Sequence, residues 1–123
     1  MSTANWSVKV IMELSIRKTD NIYIVDVNED LDLYNSYKLK ELFMKMVEKK
    51  VESIIINLEN VDYIDSSGIG TLIYTSSTAK KMNIKLSIAS VRGTVKKAIQ
   101  LTKLTTYLPL ANTLTDAIES ITP

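Results

Sequence analysis

The chain has 123 residues, 46% of them hydrophobic and 24% charged, with a formal net charge of +1, a balance that fits one globular domain and offers no electrostatic footprint for nucleic acid or anionic lipid. It contains no cysteine and no histidine, which removes disulfides, thiol nucleophiles, thiolate or imidazole metal sites and every Ser-His-Asp arrangement, and so argues against an enzyme. No apolar run approaches the ~20 residues of a membrane helix and the N-terminus lacks a basic stretch followed by an apolar one, so a cytoplasmic protein without a membrane contact is expected.

Residues 1–11 read as a polar tail or an extra strand, with Trp6, Val8 and Val10 alternating, and the domain proper is expected over 12–123. Met12, Leu14 and Ile16 alternate as in a half-exposed strand. Thr19-Asp20-Asn21 signals a turn, and Ile22 to Val27 a second strand, antiparallel to the first. A helix follows, with Asp32, Asn35 or Ser36 as its cap and Leu39, Leu42, Phe43, Met46 and Val47 as its apolar stripe; Lys38, Lys40, Glu41, Lys45 and Glu48 mark a solvated face. The β-branched run Ile54-Ile55-Ile56, continued by Asn57 and Leu58, suits a central parallel strand buried on both faces.

Ile69, Leu72, Ile73, Ser76 and Ala79 then recur at helical spacing, placing Ser66 or Ser67 at the N-cap and Met82-Asn83 at the end. Ile84, Leu86 and Ile88 mark another strand. Val91-Arg92-Gly93 is a turn, and Thr94 caps a helix bearing Val95, Ala98, Ile99 and Leu101. Tyr107-Leu108 is expected as a short edge strand, and Leu114, Ala117, Ile118 and Ile121 pattern a last helix capped by Asn112 or Thr113. The expected fold is α/β: a mixed four- to five-stranded sheet packed against about four helices, with right-handed parallel crossovers.

Few motifs carry chemistry. Gly68-Ile69-Gly70 lacks the third glycine of a dinucleotide fingerprint, since Ile73 stands there, and no Gly-Lys-Ser/Thr phosphate loop exists. Asp32, Asp62 and Asp65 are three carboxylates that could gather on magnesium or, more simply, cap turns and helices; no cofactor or metal is expected. Ser67 has no histidine to activate it as a nucleophile. It does lie at the positive end of a helix dipole beside two glycines, a position that tolerates phosphate. An outward stripe of Ser67, Thr71, Tyr74, Thr75 and Thr78 carries no charge, which suits a partner that docks without desolvating fixed charges.

The segment Tyr63-Ile64-Asp65-Ser66-Ser67-Gly68-Ile69-Gly70-Thr71-Leu72 resembles the signature of the STAS domain family, the bacterial anti-sigma factor antagonists. The similarity runs over nearly the whole chain from about Met12, including Leu31-Asp32, the strand from Ile54 to Leu58, the stretch Val95 to Leu104 and the segment Thr113 to Ile118. The chain departs from the family where Glu29 replaces a frequent glycine and Met82-Asn83 a glycine pair. The resemblance implies a non-enzymatic switch, phosphorylated on Ser67 by an anti-sigma factor that is also a serine/threonine kinase and reset by a metal-dependent serine phosphatase. When unphosphorylated, such a protein sequesters the kinase and so regulates transcription. Asp32, Asp65, Ser66, Gly68, Thr71, Tyr74 and Thr75 are the implied partner-binding residues. An alternative is a STAS interaction module of a transport or signalling assembly without a sigma-factor circuit.

Overall fold

The computed structural model describes residues 14–123. The expected tail or extra strand over 1–11 and the start of the first strand at Met12 lie outside the described residues.

Strand β1 (Leu14–Thr19) pairs antiparallel with β2 (Ile22–Val27), with Thr19 opposite Ile22. Asp20-Asn21 makes the turn, and Asp20 takes a left-handed conformation at φ 52°, the backbone that a two-residue hairpin loop requires. The chain then alternates: helix α1 (Ser36–Glu48), strand β3 (Ser53–Asn57), helix α2 (Ser66–Met82), strand β4 (Lys85–Ala89), helix α3 (Gly93–Leu101), strand β5 (Leu110–Ala111) and helix α4 (Leu114–Ile121). From β2 onward neighbouring strands are parallel, and the sheet order is the sequence order, β1-β2-β3-β4-β5. The mixed five-stranded sheet with four helices is the expected fold class.

This order decides where the helices go. Every strand-helix-strand step moves one place in the same direction, so right-handed crossovers send α1, α2 and α3 to one face of the sheet. The packing agrees: Leu39, Phe43 and Met46 of α1, Leu72 and Ala79 of α2, and Val95 and Ile99 of α3 share a core with Val25, Val27, Ile54, Ile56, Leu86 and Ile88. The period-2 alternation sends the other strand residues to the opposite face, where Ile22, Ile24, Ile55 and Ala89 meet Ala117 and Ile121 of α4. Ile54, Ile55 and Ile56 therefore point alternately into two cores, and all three are fully buried. Each contributes about 1.5–3 kcal/mol of burial.

Several local expectations change. Leu101 is 85% exposed because α3 ends there, past its last inward residue, Ile99. The edge strand is Leu110–Ala111, not Tyr107-Leu108. The backbone N–H groups of both Tyr107 and Leu108 turn back to the Leu104 carbonyl, while Ile88 donates to the Pro109 carbonyl. Thr94 does not cap α3: Arg92 holds the N-cap position, and the Thr94 hydroxyl donates to the Asp62 carbonyl. The left-handed Asn83 ends α2 as expected (φ 58°), and Thr113 caps α4 by accepting from Asp116 N–H. Among the described residues no helix is long and apolar enough to cross a membrane.

Candidate functional site

The parallel strands deliver their C-terminal ends to one edge of the sheet, where open α/β folds carry their sites. Two loops meet there, the one from β2 to α1 and the one from β3 to α2. A single parallel bridge joins them, Leu31 to Ile64; Leu31 donates to the Tyr63 carbonyl at 3.1 Å and accepts from Asp65 N–H at 3.2 Å. Leu31 and Ile64 are both buried, so an apolar contact underlies the polar one.

Asp65 organises the junction. It, and neither Ser66 nor Ser67, is the N-cap of α2. One carboxylate oxygen accepts from Ser67 N–H at 2.8 Å and Gly68 N–H at 3.1 Å; the other accepts from Leu33 N–H at 3.1 Å, across the gap between the loops. One side chain thus starts a helix and fastens the neighbouring loop to it. Aspartate and serine cap about equally well, so propensity did not separate Asp65 from the serines. The flanking residues do: Ile64 before the cap and Ile69 four places after it form the pattern of a hydrophobic staple.

The facing loop is pinned with equal thoroughness. The Asp32 carboxylate accepts from Tyr34 N–H at 2.9 Å and Asn35 N–H at 3.2 Å, and Asn35 Oδ1 accepts from Asp32 N–H at 2.9 Å. The Asn35 amide also donates to Glu29 Oε1 at 2.7 Å and to the Asp30 carbonyl. Asn35 occupies the N-cap position of α1 without capping it through its side chain. Asp32 serves the turn before the helix instead, and Ser36 lies inside α1 and is buried. Asp62 stands 3.7 Å from Arg92. The three carboxylates therefore do not converge, and among the described residues no group of three or more acidic, histidine or cysteine side chains is placed to hold a metal ion.

Ser66 is exposed and Ser67 half-buried, the first and second residues of α2. Among the described residues the Ser67 hydroxyl makes no hydrogen bond, while the Ser67 carbonyl accepts from Thr71 Oγ1 at 3.1 Å. The first-turn N–H groups of Ser67 and Gly68 are already engaged by Asp65, so they are not vacant for an added phosphate, contrary to what a bare helix N-terminus would offer. Gly68 is buried against the Leu31–Ile64 bridge.

The outward stripe is corrected in part. Thr71 and Thr75 are buried, Thr75 at 0% exposure, and the Thr75 hydroxyl donates to the Leu72 carbonyl inside the helix. Tyr74 lies at the seam with α1, its hydroxyl donating to Met44 Sδ at 3.0 Å and its ring under Lys40 Nζ at 4.3 Å. Helical spacing had fixed the stripe's period correctly but its phase wrongly, because hydroxyls bonded back to the helix fit a core that charges cannot. The face turned to water runs through exposed Ser66 and Gly70 and half-buried Ser77, with Ser67, Tyr74 and Thr78 half-buried beside it, while Ile73 packs partly against the core. It keeps the property that mattered: no charged residue occurs between Ser66 and Ala79.

The family profile described as STAS domain matches residues 13–117. An anti-sigma-B factor antagonist of Staphylococcus aureus (strain NCTC 8325 / PS 47) is 33% identical over 95 residues, covering 76% of this chain and 88% of that protein. The crystal structure of an anti-sigma factor antagonist from Mycobacterium paratuberculosis superposes with a TM-score of 0.79 at 24% identity, covering 88% of this chain and 92% of that one. A candidate anti-sigma factor antagonist from Thermotoga maritima gives 0.81 at 21% identity, over 88% and 93% of the two chains. At these identities the two structures speak for the fold.

Proposed function

This chain belongs to the STAS domain family, and from that premise we propose that it is an anti-sigma factor antagonist: a cytoplasmic, non-enzymatic binding switch that sequesters an anti-sigma factor serine/threonine kinase while Ser67 is unphosphorylated. The observation that carries the reading is the 33% identity to a Staphylococcus aureus anti-sigma-B factor antagonist across three-quarters of this chain. It favours the sigma circuit over a transport or signalling module, since the fold is common to both. The geometry supports the same reading: two loops locked together present Ser66 and Ser67 at the head of a helix that carries no charge as far as Ala79.

In this scheme the γ-phosphoryl group of ATP passes to Ser67 Oγ, the hydroxyl proton is lost and ADP leaves. A metal-dependent serine phosphatase later returns the hydroxyl and releases phosphate. The phosphoserine carries about −1.5 to −2 charges beside the Asp65 carboxylate, on an edge that also bears Glu29, Asp30 and Asp32. Repulsion within the exposed protein is screened by salt, so the fold stays as it is. A partner packed over the site has to bury that charge, and losing ~3 kcal/mol weakens binding more than a hundredfold. Asp32 and Asp65 hold the two loops, Gly68 lets them meet, and Ser66 and Tyr74 flank the phosphate acceptor on the partner side.

The test is incubation with the kinase-type anti-sigma factor of the same organism and ATP, followed by phosphopeptide mapping. Modification of Ser67, its loss in Ser67→Ala, constitutive binding by Ser67→Ala and partial release by Ser67→Asp are expected. Phosphate on Ser66 with Ser67→Ala still modified would overturn the assignment.

A further inference from the structure

Half of the large hydrophobic side chains exposed among the described residues fall on the two loops of the site and the first turn of α1: Leu33, Tyr34, Tyr37 and Tyr63. Leu33 is 69% exposed and Tyr34 82%, so neither contributes much to the core. Both are nevertheless held on a fixed backbone. Leu33 N–H is bound by Asp65, Tyr34 N–H by Asp32, and Asn35 closes the turn from below. A loop kept only for connection needs no such bracing, and one that exposes leucine and tyrosine in water without a partner gains nothing by it. Rigid aromatic side chains on a preorganised turn are what strong binding surfaces present, because little freedom remains to be lost on docking.

The surroundings specify the occupant. Glu29, Asp30 and Asp32 lie on the same loop as Leu33 and Tyr34, so the apolar centre has an acidic border on its loop side, while on α1 Tyr37 shares its surface with Lys40 and Glu41. The phosphate acceptor is linked to it through one residue, since Asp65 binds both Ser67 N–H and Leu33 N–H. We infer that Leu33, Tyr34 and Tyr37 are the apolar anchor of the protein-binding surface, and that they fill a hydrophobic recess bordered by lysine or arginine on the anti-sigma factor. This rests on the function proposed above and adds to it: the acidic and phosphorylated groups govern whether binding occurs, while the anchor supplies most of its strength. A negative charge placed at Ser67 then acts on a partner already seated on the adjoining turn.

Calorimetric titration of the same organism's anti-sigma factor against four forms tests this: wild type, Ser67→Asp, the double variant Leu33→Ser/Tyr34→Ser, and Tyr34→Phe. The double variant is expected to bind at least tenfold more weakly with its circular dichroism unchanged, and Tyr34→Phe, which keeps the ring, to stay within threefold of wild type. If the double variant fails to fold, Tyr34→Ala takes its place, with the same criterion of tenfold weaker binding. A double variant within threefold of wild type, where Ser67→Asp loses binding, overturns the anchor and leaves the switch standing. No binding by wild type overturns both. If the double variant instead disperses a concentration-dependent dimer and leaves the titration unchanged, the surface belongs to a second copy of this chain and the inference falls.

Discussion

Gly68 and Leu31 approach more closely than any side chain allows: a Cβ added to Gly68 would lie 2.5 Å from the Leu31 carbonyl oxygen and 2.6 Å from Ile64 Cγ1. The oxygen cannot retreat freely, because it accepts from Asp65 N–H. Gly68→Ala is therefore expected to force the loops apart and destabilise the protein by about 1–3 kcal/mol, a fall in Tm of roughly 5–15 °C. Thermal denaturation reads this directly, and an unchanged Tm would show that the junction gives way without cost.

Gly70, two residues on, is the opposite case. It lies inside α2 with nothing within 4 Å of where its Cβ would stand. Gly70→Ala should raise stability by about 0.5–1 kcal/mol, since alanine loses less backbone entropy on entering a helix. A lower Tm would mean that the open space is filled by something the folded chain needs.

The two oxygens of Asp65 have separable duties. In Asp65→Asn the amide oxygen still accepts from Ser67 and Gly68, while the NH2 group faces the Leu33 N–H, donor against donor. Hydrogen exchange should then accelerate at the Leu33 amide and stay slow at Ser67 and Gly68. Asp65→Ala should free all three and cost about 0.5–2 kcal/mol for the cap alone. Equal acceleration at all three amides in the asparagine variant would refute the division.

Asp26 sets an acid limit. Burial works to raise its pKa, but the hydrogen bond from Arg17 at 2.6 Å, another from Asn57 at 2.8 Å and the Arg17 charge together hold it below the ordinary 3.8. A carboxylate whose folded pKa is depressed stabilises the fold above its unfolded pKa, and that contribution is lost as pH falls through the folded value. Asp26→Asn should thus be less stable than wild type at pH 7 by about 1 kcal/mol, with the two converging under strong acid. Denaturant titrations from pH 7 downward would show it, and a constant gap between the two curves at every pH would exclude the linkage.

Much of this was legible in the sequence for a physical reason. The run Ile54-Ile55-Ile56 declares a strand with two buried faces, and a left-handed position for Asn83 or a hydroxyl cap at Thr113 follows from local chemistry alone. What failed was the choice between near-equivalents. Asp65, Ser66 and Ser67 are all good caps, and only the packing of Ile64 and Ile69 decides among them. Thr71 and Thr75 are hydroxyl residues that satisfy themselves on helix carbonyls, so polarity did not show which way they point. Nothing in the local pattern marks Leu33. Its exposure is set by the Leu33–Asp65 bond, a contact between residues 32 positions apart that no local pattern contains.

The sequential strand order has a consequence for how the molecule assembles. Each strand from β2 onward docks beside the one made just before it, so the sheet can grow in step with synthesis, from hairpin outward. Helix α4 follows all five strands, yet it alone among the described helices covers Ile22, Ile24, Ile55 and Ala89. Until it arrives, no other described helix lies over that apolar side of the sheet, and α4 acts as its closing seal. A fragment stopped at Ala111 should bind a hydrophobic dye and aggregate; a soluble, dye-silent fragment would show that the sheet waits for no seal.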